Sequence, residues 1–114
     1  MQLECQDFTG GRMIRVMDTR IDAASAILFK DRLRAAAGEV PGPVVLDLAA
    51  VDFIDSSGLG AVVASMKLLG GERPLQLAGL TPAVEKVFRL TRMDSVFVIH
   101  PDGATARTAL QDAR

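Results

Sequence analysis

The apolar positions of this chain fall into short runs and longer stripes, a pattern that predicts alternating strands and helices. The clearest run spans Val44 to Leu48 and is rich in β-branched residues, as expected for a strand that helices cover. Beyond Asp55 the apolar positions return at helical spacing. This second stripe consists of Leu59, Val62, Val63, Met66 and Leu69.

Turn-forming residues separate the other elements. Gly10-Gly11 lies between two short runs and predicts a hairpin, and Pro41-Gly42-Pro43 predicts a rigid turn. Thr81-Pro82 predicts a helix start, with threonine as the N-cap and proline in the first helical position. The predicted strands cover about residues 3–8, 13–17, 44–48, 75–77 and 96–99. Four helices are predicted: one over about 23–37, one from Asp55 or Ser56 to Gly70, one that begins at Pro82, and one over about 104–113.

This alternation predicts one α/β domain over residues 1–114. Helices that connect successive strands imply parallel pairing with right-handed crossovers, while the first hairpin adds an antiparallel pair. We therefore expect a mixed central sheet of about five strands with about four helices. At 114 residues the chain is long enough to bury a single core.

Two predicted helices divide into a buried and a solvated face. We expect the first helix to bury Phe29 and Leu33, together with Ala26 and Ala36, and the third helix to bury Val84, Val87 and Phe88. The charged helix positions are expected to be solvated; they are Lys30, Arg32, Arg34, Glu85, Lys86 and Arg89.

The junction between the central strand and the second helix combines small and polar residues. Asp55 or Ser56 is the expected N-cap, because either side chain can accept a bond from an unpaired amide of the first turn. Ser57 falls outside the apolar stripe. Gly58 costs a helix about 1 kcal/mol relative to alanine, so its presence indicates close approach by another backbone or chain.

Composition narrows the classes of function. Lysine and arginine total 13 against 14 acidic residues, so the chain has no basic field for nucleic acid. It has no tryptophan or tyrosine and five phenylalanines, which leaves few stacking platforms for bases. The single Cys5 excludes an intrachain disulfide and offers no metal pair. No apolar run approaches the roughly 18 residues of a membrane span, and no signal segment opens the chain, so we expect a cytoplasmic protein without membrane insertion.

The sequence contains few residues in the patterns that enzyme active sites require. His100 is the only histidine, so a Ser-His-Asp triad would have to use it. The surroundings of Ser57 lack the Gly-x-Ser-x-Gly nucleophile elbow, and no Gly-x-x-x-x-Gly-Lys-Ser/Thr phosphate loop is present. Asp47 and Asp52 are more typical of a turn and a strand end than of catalytic acids. We expect no enzyme activity.

The hexapeptide Asp55-Ser56-Ser57-Gly58-Leu59-Gly60 after an apolar strand resembles the signature of STAS domains, specifically the bacterial anti-sigma factor antagonists. The resemblance extends over nearly the whole chain. Ile14 to Met17 followed by Arg20-Ile21-Asp22-Ala23 matches the family's second strand and the entry to its first helix, and Leu90 to Ile99 matches its third-helix exit and last strand. Two positions depart from the family, in which glycine is frequent where Thr19 and Arg92 stand.

The resemblance implies a compact STAS fold and a set of site residues. The second serine of the motif is the phosphorylated one in that family, which implies Ser57. The implied partner-binding residues are Asp22, Asp55, Ser56, Ser57, Gly58 and Leu59. Without the resemblance, the two serines are more typical of a capped helix start, and Asp22 fits an N-cap as well as a contact residue.

The implied function is partner switching. The unphosphorylated protein would bind an anti-sigma factor, a serine kinase of the GHKL type, and so release the sigma factor. Phosphorylation of Ser57 would switch binding off, and a PP2C-like phosphatase would restore it. The protein itself would hold no cofactor, because ATP and magnesium belong to the kinase. The alternative is a STAS subunit that regulates a membrane transporter complex.

Overall fold

Five strands form the central sheet of the computed structural model, which describes residues 1–39, 42–71 and 73–112. Across the sheet, the first two of these strands pair antiparallel and every later pair is parallel, as the hairpin and the alternation predict. In chain order the strands are β1 (Leu3–Phe8), β2 (Gly11–Val16), β3 (Arg20–Ile21), β4 (Val44–Asp47), β5 (Phe53–Ile54), β6 (Leu75–Ala78) and β7 (Ile99–His100). The sheet order is β1-β2-β4-β6-β7.

Four α-helices lie in the described part of the chain. They are α1 (Ala26–Ala37), α2 (Ser56–Leu69), α3 (Pro82–Leu90) and α4 (Gly103–Asp112), and a single 3-10 turn spans Met93–Ser95. The mixed sheet and the helix count confirm the predicted fold class. Pro41 of the predicted rigid turn and Ala113 at the predicted end of the last helix lie outside the described residues.

The core lies on both faces of the sheet. On one face α1, α2 and α3 bury apolar side chains against Ile14 and Leu46, among them Phe29, Leu33, Val62, Val84 and Phe88. On the other face Ala106 of α4 packs with Met13, Val45 and Ala78. The side chains of adjacent residues in one strand thus pack on opposite faces of the sheet, as the pleat requires. Each large side chain buried in this way stabilises the fold by about 1.5–3 kcal/mol.

A second, two-stranded sheet stands apart from the central one. Strand β3 pairs parallel with β5, with Arg20 opposite Phe53 and Ile21 opposite Ile54. Ile21 and Ile54 are buried, while Arg20 and Phe53 face solvent. The sequence pattern does not predict this ribbon, because strands of two residues are too short to show a period.

Two predicted boundaries are each wrong by three residues. The last strand begins at Ile99 rather than Val96, because the chain first makes the 3-10 turn and then buries Phe97 edge-on against Phe88, with ring centroids 5.9 Å apart. The first helix begins at Ala26 rather than near Ala23. A hydrogen-bonded turn from Asp22 to Ser25 occupies the intervening residues, and Ser25 rather than Asp22 is the N-cap.

Candidate functional site

The first turn of α2 is capped by Asp55. Its Oδ1 atom accepts a hydrogen bond from the Gly58 amide at 2.8 Å, and its carbonyl accepts the Leu59 amide at 2.9 Å. Asp55 has extended backbone angles, as an N-cap residue should. The prediction of a cap at Asp55 or Ser56 is therefore confirmed for Asp55. Ser56 and Ser57 occupy the first two helical positions, and both are exposed.

The same carboxylate also ties α2 to the turn that precedes α1. The Oδ2 atom of Asp55 accepts the amide of Ala23 at 3.0 Å, 32 residues away in sequence. One side chain thus joins two loops that the chain forms independently. Because both oxygens of Asp55 are engaged, the start of α2 is held in one orientation relative to the Asp22–Ser25 turn.

Gly58 lies directly against the ribbon strand β3. A Cβ atom at this position would stand 2.1 Å from the carbonyl oxygen of Ile21 and 3.0 Å from the side chain of Ile54. Only glycine lets the helix approach the ribbon this closely. The predicted close approach at Gly58 is confirmed, and the neighbour is this chain's own backbone.

Asp22 lies beside the capped helix start. Its Oδ1 atom accepts bonds from the Ser25 amide and the Ser25 hydroxyl, both at 3.2 Å, and its Oδ2 atom accepts Arg20 Nε at 3.3 Å. Desolvation raises the pKa of Asp22, but the bonds from Arg20 and Ser25 outweigh it and hold that pKa below its usual value. Asp22 therefore carries a negative charge at neutral pH.

The residues that the resemblance singled out do not all face solvent. Ser56 and Ser57 are exposed, and Asp22 and Asp55 are partly exposed. Gly58 is buried, and only 7% of Leu59 is exposed because its side chain packs in the main core. Gly58 and Leu59 thus shape the site through the position of the helix, while the serines and carboxylates form its accessible surface.

One pair of side chains beside the site is not predicted by any pattern in the sequence. The Arg20 guanidinium lies 4.0 Å from the centroid of the Phe53 ring, and both residues are exposed. A cation above an aromatic face is favoured by about 0.5–1 kcal/mol at an exposed site. The pairing follows from the register of the ribbon, and no spacing within the sequence indicates it.

The two departures from the family pattern take different structural roles. The carbonyl of Thr19 accepts the amides of Asp52 and Phe53, at 2.9 and 3.3 Å, and so holds the ribbon beside the site. Arg92 follows α3 with a left-handed φ of 60°, a conformation that glycine adopts without steric cost. Arg92 is more than 30 residues from Ser57 in the sequence, and it directly precedes the 3-10 turn.

Other polar groups have structural partners. Asp47 is buried and accepts the Ala49 amide at 2.9 Å and both Nε and Nη2 of Arg15, which fits the prediction that it is a turn or strand-end group. His100 Nε2 bonds to Gln76 Oε1 at 2.6 Å. The described residues contain no group of three or more histidine, cysteine or acidic side chains arranged to hold a metal ion. Over the same residues, the helices all fall short of the length and apolar character that crossing a bilayer demands.

Comparison with known proteins supplies the family. The STAS domain model matches residues 6–106. A protein of Bordetella bronchiseptica named as an anti-sigma factor antagonist, BtrV, is 30% identical over 108 residues, which cover 94% of this chain and 93% of that protein. The chain therefore belongs to the STAS domain family, in its anti-sigma factor antagonist branch.

Solved structures agree on the fold. The crystal structure of an anti-sigma factor antagonist from Mycobacterium paratuberculosis superposes with a TM-score of 0.85 at 29% identity, covering 97% of this chain and 94% of that one. The Bacillus cell fate determinant SpoIIAA, solved in its phosphorylated form, gives a TM-score of 0.62 at 18% identity over 99% of this chain and all of that one. The second likeness concerns the fold alone.

Proposed function

We propose that this chain works by partner switching, in which its unmodified form binds a kinase-type anti-sigma factor and phosphorylation of Ser57 ends that binding. The observation that supports the proposal is the exposure of Ser57 in the first turn of a helix fixed by Asp55 and Gly58. A kinase can reach the hydroxyl there without unfolding the domain. Hydrogen bonds and close packing hold the start of α2 in place, so the modification acts at the surface.

The physical basis of the switch is charge. A phosphoserine carries about −1.5 to −2 charges at neutral pH. The start of α2 tolerates this charge, because its first amides and the helix dipole favour anions. The carboxylates of Asp22 and Asp55 oppose it, and a partner that covers the site would have to strip water from the dianion. The free domain thus accepts the phosphate more readily than the complex does.

A modest energy suffices for this mechanism. A loss of about 3 kcal/mol in binding weakens affinity by roughly a hundredfold. Charge repulsion and the desolvation of one well-placed dianion reach that size when the interface is dry. The switch needs no change of fold, and the chain acts as a substrate and a ligand while the kinase supplies the chemistry.

The proposed partners follow from this scheme. They are a GHKL-type serine kinase that acts as the anti-sigma factor, and a PP2C-like phosphatase that removes the phosphate. The proposed compartment is the cytoplasm, where a sigma factor and ATP are both available. The chain itself would need no cofactor and no contact with nucleic acid.

The deciding experiment is affinity capture from native extract with mass spectrometry of the captured proteins and of the bait. Recovery of an ATP-binding kinase, followed by phosphate on the Ser57 peptide after incubation of the purified pair with ATP, would support the proposal. The matched variants Ser57→Ala and Ser56→Ala separate the two hydroxyls, and we expect only the first to abolish labelling. Labelling of Ser56 in the unmutated chain would refute the site assignment. Capture of a transporter complex with Ser57 unmodified would favour the alternative function.

A further inference from the structure

The outer side of the β3–β5 ribbon carries side chains that are accessible to another molecule. Ile21 and Ile54 are buried, so the residues that flank them in each strand face the opposite way. Two of these residues lie in the strands and two directly follow them, and all four are exposed or partly exposed. We call them the ribbon face, which consists of Arg20, Asp22, Phe53 and Asp55.

The ribbon face is continuous with the start of α2. A Cβ atom on Gly58 would stand 2.1 Å from the carbonyl oxygen of Ile21. These two residues are next to Ser57 and Arg20 in the sequence. Because consecutive Cα atoms are about 3.8 Å apart, the Cα atoms of Ser57 and Arg20 lie within about 14 Å of each other.

A partner that covers Ser57 has the size to cover the ribbon face as well. A stable interface buries about 800 Å² on each partner, which corresponds to a disc of about 16 Å radius. The proposed function needs Ser57 inside such an interface, because its phosphorylation ends the binding. The ribbon face therefore falls within the patch that the anti-sigma factor would contact.

The polar groups of the ribbon face differ in what they can still bind. Both oxygens of Asp55 accept backbone amides, and both oxygens of Asp22 accept bonds from Ser25 and Arg20. The guanidinium of Arg20 uses Nε for its bond to Asp22, at 3.3 Å. Its two Nη groups can therefore donate to a partner, and two such groups match the paired oxygens of a carboxylate.

Phe53 holds this guanidinium in place. The Arg20 Cζ atom lies 4.0 Å from the centroid of the Phe53 ring, so the ring covers one side of the cation. Arg20 is thus restrained both by the ring and by Asp22, which lowers the entropy that it loses when a partner binds. The ring is 38% exposed and adds apolar area beside the cation. Arginine and aromatic residues are the types that dominate binding energy at interfaces.

We propose that the Arg20–Phe53 pair determines which anti-sigma factor this chain binds: Arg20 pairs with a carboxylate of the partner, and Phe53 packs against an apolar side chain beside that carboxylate. This inference rests on the proposed function, since the partner is the one that Ser57 regulates. Specificity follows because a partner without the acidic group would leave a covered guanidinium unpaired. The same carboxylate would repel a phosphate on Ser57, which strengthens the switch.

The first test changes the cation and measures affinity by calorimetry, with the purified full chain and the purified anti-sigma factor recovered by affinity capture. Arg20→Ala should weaken binding by at least about tenfold. Arg20→Lys should recover only part of this loss, because lysine keeps the charge but lacks the planar fork. Arg107→Ala is the matched control, since Arg107 lies 5.4 Å from the Phe8 ring on the other face of the central sheet. It should leave affinity within about twofold.

The second test changes the ring. Phe53→Leu keeps an apolar side chain but removes the aromatic face that restrains Arg20, and it should weaken binding by about two- to fivefold. Phe8→Leu removes the ring of the second pair and should leave affinity unchanged. Thermal melts of each variant separate binding from folding. A loss of affinity in Phe53→Leu with the melting temperature of the parent supports a contact with the partner.

The third test identifies the group that Arg20 meets. A benzophenone-bearing phenylalanine at position 53 should crosslink to the anti-sigma factor next to an aspartate or glutamate. Arg20→Glu should weaken binding by at least about a hundredfold, since it places two negative groups together. Changing the identified acidic residue of the partner to arginine should restore at least about tenfold of that loss. Crosslinking to a second copy of this chain instead would overturn the proposal in favour of self-association.

The outcomes distinguish this inference from the proposed function. If the parent binds the kinase, phosphorylation of Ser57 releases it, and the Arg20 and Phe53 variants bind as the parent does, then the inference is wrong and the proposed function stands. If these variants bind weakly but the charge exchange restores nothing, the pairing of Arg20 with a carboxylate is wrong. If the parent captures no kinase, the proposed function fails, and this inference fails with it.

Discussion

The Cα atom of Gly58 lies so close to the carbonyl of Ile21 that a Cβ atom at position 58 would stand 2.1 Å from that oxygen. This contact joins the first turn of α2 to the ribbon strand β3, and the bond from the Ala23 amide to Asp55 lies next to it. The serines are therefore presented by a helix end that is fixed from two sides. Their exposure is a property of the rigid fold.

Gly58→Ala should destabilise the protein, because the new methyl group has to displace backbone rather than a flexible side chain. We expect the free energy of unfolding to fall by about 1–3 kcal/mol or more. The matched control is Gly60→Ala, since a Cβ atom there would meet nothing within 4 Å. That change should stabilise α2 by up to about 1 kcal/mol. Urea denaturation measures both, and equal stabilities for the two variants would contradict the close contact.

Ser57→Ala should keep binding the anti-sigma factor, since it removes only a small exposed hydroxyl. Ser57→Asp should bind more weakly than the parent yet remain as stable to heat, because a carboxylate near a helix start is tolerated or mildly favourable. The loss of affinity should be smaller for Ser57→Asp than for phosphorylated Ser57, because phosphate carries more charge. Calorimetry and thermal melts distinguish the two effects. Equal affinities of the phosphorylated and unphosphorylated protein would exclude the charge switch.

Asp102 should make the stability of the protein depend on acid pH. Its carboxylate caps α4 by accepting the Thr105 amide at 2.7 Å, and this bond holds the pKa of Asp102 below its ordinary value of 3.8. Because the folded pKa is the lower one, the stabilisation is complete above the unfolded pKa and is lost as pH falls through the folded pKa.

Asp102→Asn tests this dependence, since asparagine is also a good N-cap but does not titrate in this range. The variant should resemble the parent near pH 6. Below about pH 4 its unfolding free energy should fall less steeply than that of the parent. If the unfolding free energies of the two proteins change with pH in the same way, Asp102 does not contribute to the pH dependence of stability.

Arg92→Gly should stabilise the protein by about 0.5–1 kcal/mol. The left-handed φ of 60° is sterically unfavourable for a residue with a Cβ atom and not for glycine. Glycine loses more backbone entropy on folding, which offsets part of this gain in stability. Arg89→Gly in the preceding helix is the control, and it should destabilise by about 1 kcal/mol because its backbone is helical. Chemical denaturation of both variants is the measurement, and a destabilised Arg92→Gly would contradict the strain.

Helix starts were predictable because they depend on neighbouring residues. Asp55 caps α2, Pro82 opens α3 and Asp102 caps α4, each through groups a few residues apart. For α1 the sequence predicts a start three residues too early, because a turn closed by the bond from the Ser25 amide to the Asp22 carboxylate precedes the helix. Both residue types also favour an N-cap, and the sequence alone does not choose between them.

The last strand, in contrast, depends on a tertiary contact that neighbouring residues do not predict. Val96, Val98 and Ile99 resemble one strand by composition, yet β7 contains only Ile99 and His100, and Val98 contributes one carbonyl that accepts the Leu77 amide at 2.9 Å. Packing of Phe97 against Phe88 competes with strand pairing, and it succeeds because it buries an aromatic ring in the main core. A tertiary contact of this kind leaves no periodic signal.

The sequence by itself determined the alternation of strands and helices, the fold class, the motif around Ser57 and the glycine that permits close approach. These follow from local spacing and residue type, which act over a few positions. Only the tertiary structure decided that Gly58 meets the carbonyl of Ile21 and that the Asp55 carboxylate accepts the amide of Ala23. Those relationships join residues more than 30 positions apart, and they exist only after the sheet has brought α1 and α2 together.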